Sequence, residues 1–221
     1  MGLIQSALPA FLSGAWGTIL YCVSSFPLAL LLGLLLALMK SSRFVWLSTP
    51  ANIFIEVMRS TPIITQLFLL YYGVGAILVN FNLAHLDNAW VAGITSLSLN
   101  YAAYEAEVFR AGFLSVEHGQ TEAALSLGLS SRQNFFRIVL PQAIPLMIPP
   151  FVNDFIYMLK DSAIVSVISG SEITSTLNYW VSRHGSNPLP LYALAIALYL
   201  LLSLPTSYVA RYFESRLRAA L

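Results

Sequence analysis

The chain has 221 residues, 57% of them hydrophobic and 10% charged, where a soluble domain carries roughly 45–50% apolar and about 25% charged residues. Eleven Lys and Arg against ten Asp and Glu leave a net charge of +1, which excludes the basic surface that holds nucleic acid. Cys22 is the single cysteine, so a disulfide framework and a multi-cysteine metal site are both excluded, and a small buried hydrophobe is its expected role.

Runs of about 20 apolar residues cross a ~30 Å hydrocarbon core, and five such runs predict an all-α transmembrane chain in a single domain. The first covers residues 11–39. No Asp, Glu, Lys, Arg or His precedes Lys40, so no basic region stands ahead of the run and a cleaved secretory signal is not expected. The second covers 60–79, where Ser60, Thr61 and Pro62 supply an N-cap and a proline near the first helical position. The third covers 89–109 and carries Glu105 and Glu107 in its last turn.

Residues 115–141 read as amphipathic rather than spanning. Thr121 is positioned to cap a short helix beginning at Glu122, and Gly128 to stop it, because glycine accepts the left-handed conformation that ends helices. A second helix starts after Ser130 or Ser131 and carries Phe135, Phe136, Ile138 and Val139 up to Pro141. The pattern predicts a helical hairpin standing off the membrane.

The fourth run, 145–168, is interrupted or charged by Pro145, Pro149, Pro150, Asp154, Lys160 and Asp161, and Pro149 and Pro150 are expected to break its helix. The fifth, 189–210, is clean apart from Pro205. Arg211, Glu214 and Arg218 follow at spacings of three and four, as local ion pairs on a solvated helix end. Lys40, Arg43, Arg59, Arg110, Arg132, Arg137, Arg211, Arg216 and Arg218 fall on one side of this topology. Basic residues mark the cytoplasmic side, so the amino terminus is expected outside and the carboxyl terminus in the cytoplasm.

The string Glu122-Ala123-Ala124, Gly128, Ile138 and Leu140-Pro141 resembles the signature loop of membrane (permease) subunits of ATP-binding-cassette importers. Gly14 and Thr18, Arg59-Ser60-Thr61-Pro62, Ala103-Tyr104, Glu107-Val108-Phe109-Arg110 and Leu159-Lys160-Asp161-Ser162 are similar to the polar amino acid uptake branch. The resemblance implies a coupling hairpin, with Glu122, Ala123, Ala124, Gly128, Ile138 and Pro141 contacting a separate ATPase. It also implies two ATPase subunits that bind ATP and Mg, a second permease subunit, identical or similar, and an extracytoplasmic amino acid-binding protein. The expected setting is the bacterial cytoplasmic (inner) membrane, with alternating access as the mechanism. No phosphate loop stands in the chain: the stretch from Gly33 to Ser41 lacks the second glycine and has Lys40 one place late. No cofactor of its own is therefore expected.

Ionisable groups inside spans are costly and usually face a pathway or a partner helix. Asp154, Tyr157 and Asp161 share one helix face, with Lys160 and Ser162 beside them. One reading lines an amino acid pathway with this stripe, Lys160 or Ser162 near the cargo carboxylate and Asp154 or Asp161 near its ammonium. The other pairs Lys160 with an acid to hold a helix interface. Glu107 has Arg110 at a spacing of three, whereas Glu105 has no local partner and, with Asp154, favours a cationic amino acid. Alternatives are a permease for another small solute and an intramembrane enzyme. No metal or nucleophile motif supports catalysis, and His85, His118 and His184 read as surface residues.

Overall fold

A computed structural model describes residues 2–75, 77, 88–184 and 187–218. Every regular element among them is helical. Helix α1 runs from Gly2 to Lys40 through Pro9 and Pro27, about 58 Å at 1.5 Å per residue. Helix α2, Val45–Ser60, follows a short break and ends at Thr61. The cause is local: a residue before proline is pushed out of the helical region, and Thr61 sits at φ −116, ψ 144. The chain restarts as α3, Ile63–Phe68, and continues as a π-helical stretch, Leu69–Val74. The two halves meet at 110°.

The expected second span at 60–79 is thus the far half of a bent pair that starts at Val45, and its end lies outside the described residues. Polar residues Ser48, Thr49, Asn52 and Glu56, together with Pro50, dilute the apolar run of α2 and hide it from a hydropathy reading. His85 also lies outside the described residues.

Helix α4, Ala89–Leu114, is the central element. It packs more extensively on α1 than any other pair of elements does, through Ala29, Ala92, Leu97, Ala37, Ala103 and Ala106, all buried. Helix α5, His118–Ser126, has Glu117 and not Thr121 at its N-cap position, with no side-chain capping bond, so the helix starts earlier than expected. Thr121 instead accepts a bond from Asn134 Nδ2 at 3.4 Å. Gly128 takes φ +83, and the amides of Gly128 and Leu129 donate to the carbonyls of Leu125 and Ala124 at 3.0 and 3.1 Å, the double closure that satisfies a helix end.

Ser130 then forms a capping box with Gln133 and opens a helical run that does not stop at Pro141. Helix α6, Ser131–Asn134, passes through a π-helical turn, Phe135–Val139, into α7, Leu140–Asp161, and ends as a 3-10 helix, Ser162–Ile168. The expected break at Pro149 and Pro150 does not occur. Proline's fixed φ is itself helical, and the missing amide bonds are tolerated in a packed membrane helix.

Ser169 turns the chain at φ 61, and α8, Ile173–Arg183, begins at the buried cap Glu172. The Glu172 carboxylate accepts bonds from the Ser175 and Thr174 amides and from the Tyr199 hydroxyl. Burial pushes this carboxyl above the usual carboxylate range, while those donors pull the other way. Helix α9, Leu189–Arg218, closes the bundle; the side chains of Glu214 and Arg218, read as ion-pairing partners of Arg211, lie outside the described residues.

Among the described residues, three helical stretches are long and apolar enough to cross a bilayer: Gly2–Lys40, Ser131–Ile168 and Leu189–Tyr212. The bent pair α2 and α3 makes a fourth. Helix α4 has the length but not the hydropathy, because Ser96, Ser98, Asn100 and Glu105 are buried inside the bundle rather than turned to lipid.

Candidate functional site

The break in the bent pair is held by two amides. Gln66 Nε2 donates to the Met58 carbonyl at 2.9 Å and to the Thr61 carbonyl and hydroxyl at 3.1 and 2.9 Å. Asn100 of α4 donates to the Met58 carbonyl at 3.2 Å and to Gln66 Oε1 at 3.0 Å. Carbonyls freed where a helix stops need donors in a water-poor interior, and these two side chains supply them.

Beside the break lies a cavity of about 310 Å³ lined by Thr61, Pro62, Ile63, Asn100, Tyr101, Tyr104, Asp154, Tyr157 and Asp161. Its charged lining residues are both acids. Tyr101 donates to Asp161 Oδ2 at 2.8 Å, which orients that carboxylate, while Asp154 and the start of the helix Ile63–Val74 both border the cavity. The first amides of a helix have no partner within it and favour negative charge. The two acids therefore suit a cation and the helix start a carboxylate.

A second cavity, of about 450 Å³, is lined by Arg59, Tyr104, Glu107, Val108, Ala111, Gly112, Ser115, Leu146, Pro150 and Asp154. It shares Tyr104 and Asp154 with the first. The Arg59 guanidinium lies 5.4 Å from the centre of the Tyr104 ring. Glu107 is held by Lys40 at 2.7 Å and by Arg110 at 2.9 Å.

The sequence stripe Asp154, Tyr157 and Asp161 comes together on the first cavity. Lys160 does not join it: its side chain is exposed, with Nζ 4.3 Å from the centre of the Tyr157 ring, and it has no acid partner among the described residues. Ser162 is buried and donates to the Leu159 carbonyl at 2.9 Å. Glu105 is fully buried against Gly33 of α1, lines neither cavity, and neither carboxylate oxygen has a hydrogen-bond partner among the described residues. Gln66, Asn100 and Tyr101 join the site beyond the expected residues; their signal in the sequence is that polar side chains inside apolar runs require partners.

On α5 and its exit, Glu122, Ala123 and Gly128 are exposed and Ala124 is buried. Leu127 beside them is 82% exposed. Ile138 is half-buried and Pro141 exposed.

A broken, internally capped helix beside an acidic cavity, inside an otherwise apolar bundle, defines a membrane transport component. The chain belongs to the family described as binding-protein-dependent transport system inner membrane component, whose model matches residues 29–219. It is 37% identical over 219 residues to the octopine transport system permease protein OccM of Rhizobium radiobacter, covering 93% of this chain and 86% of the relative. It is 33% identical over 215 residues to the arginine transport system permease protein ArtQ of Bacillus subtilis, covering 96% and 94%. A crystal structure of an amino acid ABC transporter with histidines superposes with a TM-score of 0.87 at 36% identity, covering 96% of each chain. The chain is a permease subunit, a transport component rather than an enzyme.

Proposed function

We propose that the first cavity receives an amino acid as its zwitterion, the ammonium on Asp154 and Asp161 and the carboxylate on the start of the helix Ile63–Val74. The chain is the permease subunit of an amino acid importer of the ATP-binding-cassette class. The observation that carries the assignment is the pairing of a helix break with two acids across one cavity. An acidic lining without a cation favours cargo with a cationic side chain; Glu105, buried on the α1 side of α4, acts on that cargo through its charge and not as part of the lining. Exposure of Lys160 and internal bonding of Ser162 favour the helix terminus over either as the carboxylate's partner.

The bent pair counts as one span and the central α4 as another, giving five, with the amino terminus outside and the carboxyl terminus cytoplasmic. Glu122, Ala123, Ala124, Gly128, Ile138 and Pro141 contact the ATPase. Two such subunits bind ATP and Mg and drive alternating access in a pair of permeases, identical or similar, fed by an extracytoplasmic binding protein. The sharp exit at Gly128 and the exposed Leu127 support this surface.

The test is uptake of labelled arginine and glutamine by the complex reconstituted in liposomes. Asp154→Asn is expected to lower arginine uptake about tenfold, the value of one charged hydrogen bond. Undiminished uptake of both amino acids by Asp154→Asn overturns the ammonium assignment, and an unchanged preference for arginine over glutamine in Glu105→Gln overturns a role for Glu105 in selecting the cargo. Gly128→Trp is expected to abolish ATP-driven uptake while leaving membrane insertion intact.

A further inference from the structure

We infer that the second cavity is an exit site for the cargo, in which Arg59 takes over the amino acid's α-carboxylate while the ammonium stays on Asp154. The inference rests on the zwitterion reading of the first cavity.

Residues lining the two cavities form one continuous stripe along α4, from Asn100, Tyr101 and Tyr104 through Glu107 and Ala111 to its C-cap Ser115. Spacings of three and four put them on a single helix face, so the cavities lie end to end along about 22 Å of α4. Tyr104 and Asp154 belong to both. A cargo passing from one cavity to the other can therefore keep its ammonium on Asp154 and needs a new partner only for its carboxylate.

Charge decides which group that is. Glu107 is already neutralised by Lys40 and Arg110. Arg59 lines only the second cavity, is exposed, and enters no ion pair among the described residues. Its guanidinium lies over the Tyr104 ring and makes no hydrogen bond among the described residues, which leaves its edge free for a planar carboxylate. Arg59 stands two residues before Thr61, so the break that presents the helix terminus to the first cavity also sets Arg59 on the second. Tyr104 is the boundary between them, and its ring positions the arginine.

The experiment compares Arg59→Gln with Arg59→Lys in the complete complex with its ATPase and binding protein. Labelled arginine binding to the solubilised permease and ATPase subunits, with the binding protein and its own amino acid site left out, reports the first cavity, and ATP-driven uptake by the complete complex in liposomes reports passage. Arg59→Gln is expected to leave the binding constant unchanged and to lower the maximal uptake rate about tenfold, with Arg59→Lys recovering most of it. If the Gln variant fails to assemble, Arg59→Met, which keeps the apolar stem, carries the same expectation. A wild-type maximal rate in Arg59→Gln overturns the exit site; so does a Lys variant as slow as the Gln variant, or a loss of resting arginine binding in Arg59→Gln. Arginine binding that survives Asp154→Asn overturns the reading beneath it instead, so the two failures are distinct.

Discussion

Asn100 on α4 and Gln66 on α3 are joined by a bond of 3.0 Å, and both also donate to the Met58 carbonyl. The carbonyl left over by the break at Thr61-Pro62 is thus shared by two helices, and the amide pair is buried. Gln66→Ala strips the Met58 and Thr61 carbonyls of a donor and the Asn100 amide of an acceptor. Each buried orphan costs about 1–3 kcal/mol, so a loss of about 2–4 kcal/mol is expected. Thermal unfolding of the solubilised protein measures it, and arginine binding should fall in parallel. A variant with the wild-type Tm contradicts the account.

Gly17 of α1 lies where the chain turning into α8 crosses it. A Cβ there would collide with the Ser171 carbonyl oxygen, and one at Gly14 would lie 2.9 Å from the Glu172 carbonyl oxygen. Backbone is the obstacle, so relief requires helices to move apart. Gly17→Ala is expected to cost about 1–3 kcal/mol or more through overpacking. Gly119→Ala on exposed α5, with nothing within 4 Å, should stay within about 0.5 kcal/mol of the parent. Chemical denaturation of the two variants side by side separates crowding from any general effect of losing a glycine.

Much of this is legible in the sequence. The apolar runs at 11–39, 145–168 and 189–210 fall inside helices, because hydropathy reads lipid exposure directly. Asp154, Tyr157 and Asp161 share a cavity because helical periodicity fixes which residues share a face. Two features resisted for opposite reasons. Helix α2 is too polar along one side to register as a run, and Gln66 and Asn100 are single amides whose role exists only once α3 and α4 meet. Pro149 and Pro150 misled because proline stops a helix through clashes and lost bonds that a packed membrane helix absorbs. Lys160 joined the stripe on paper but snorkels onto the Tyr157 ring, an outcome available to a long flexible side chain and not to an aspartate.

Lys40, at the end of α1, and Glu107 of α4 form a bridge of 2.7 Å with side chains 20% and 19% exposed. Partial burial limits solvent screening, and Arg110 on the other oxygen makes a network rather than an isolated pair. A double-mutant cycle of Lys40→Met and Glu107→Gln is expected to return a coupling of about 0.5–3 kcal/mol, reduced but not abolished in high salt. Zero coupling at low salt would mean that the helix ends are held by packing alone.

Glu105 and Gly33 make a contact that costs stability. The carboxyl is fully buried with neither oxygen hydrogen-bonded among the described residues, and it fits only because position 33 has no side chain: a Cβ there would lie 2.7 Å from the Glu105 Cβ. Two consequences can be separated. Glu105→Met fills similar volume without orphaned polar atoms and is expected to raise stability by about 1–3 kcal/mol. Gly33→Ala is expected to lower it by about 1–3 kcal/mol, because the Ala102 carbonyl oxygen and the Ala106 amide stand 3.1 Å from the added carbon and limit any retreat. The nearest atom is the Glu105 Cβ, which alanine keeps, so trimming Glu105 to Ala leaves that contact in place and Gly33→Ala should remain as costly in the Glu105→Ala background. Melting temperatures of the single and double variants test this. If Glu105→Met proves more stable yet loses its preference for arginine over glutamine, the buried carboxyl is retained for the cargo at the expense of the fold.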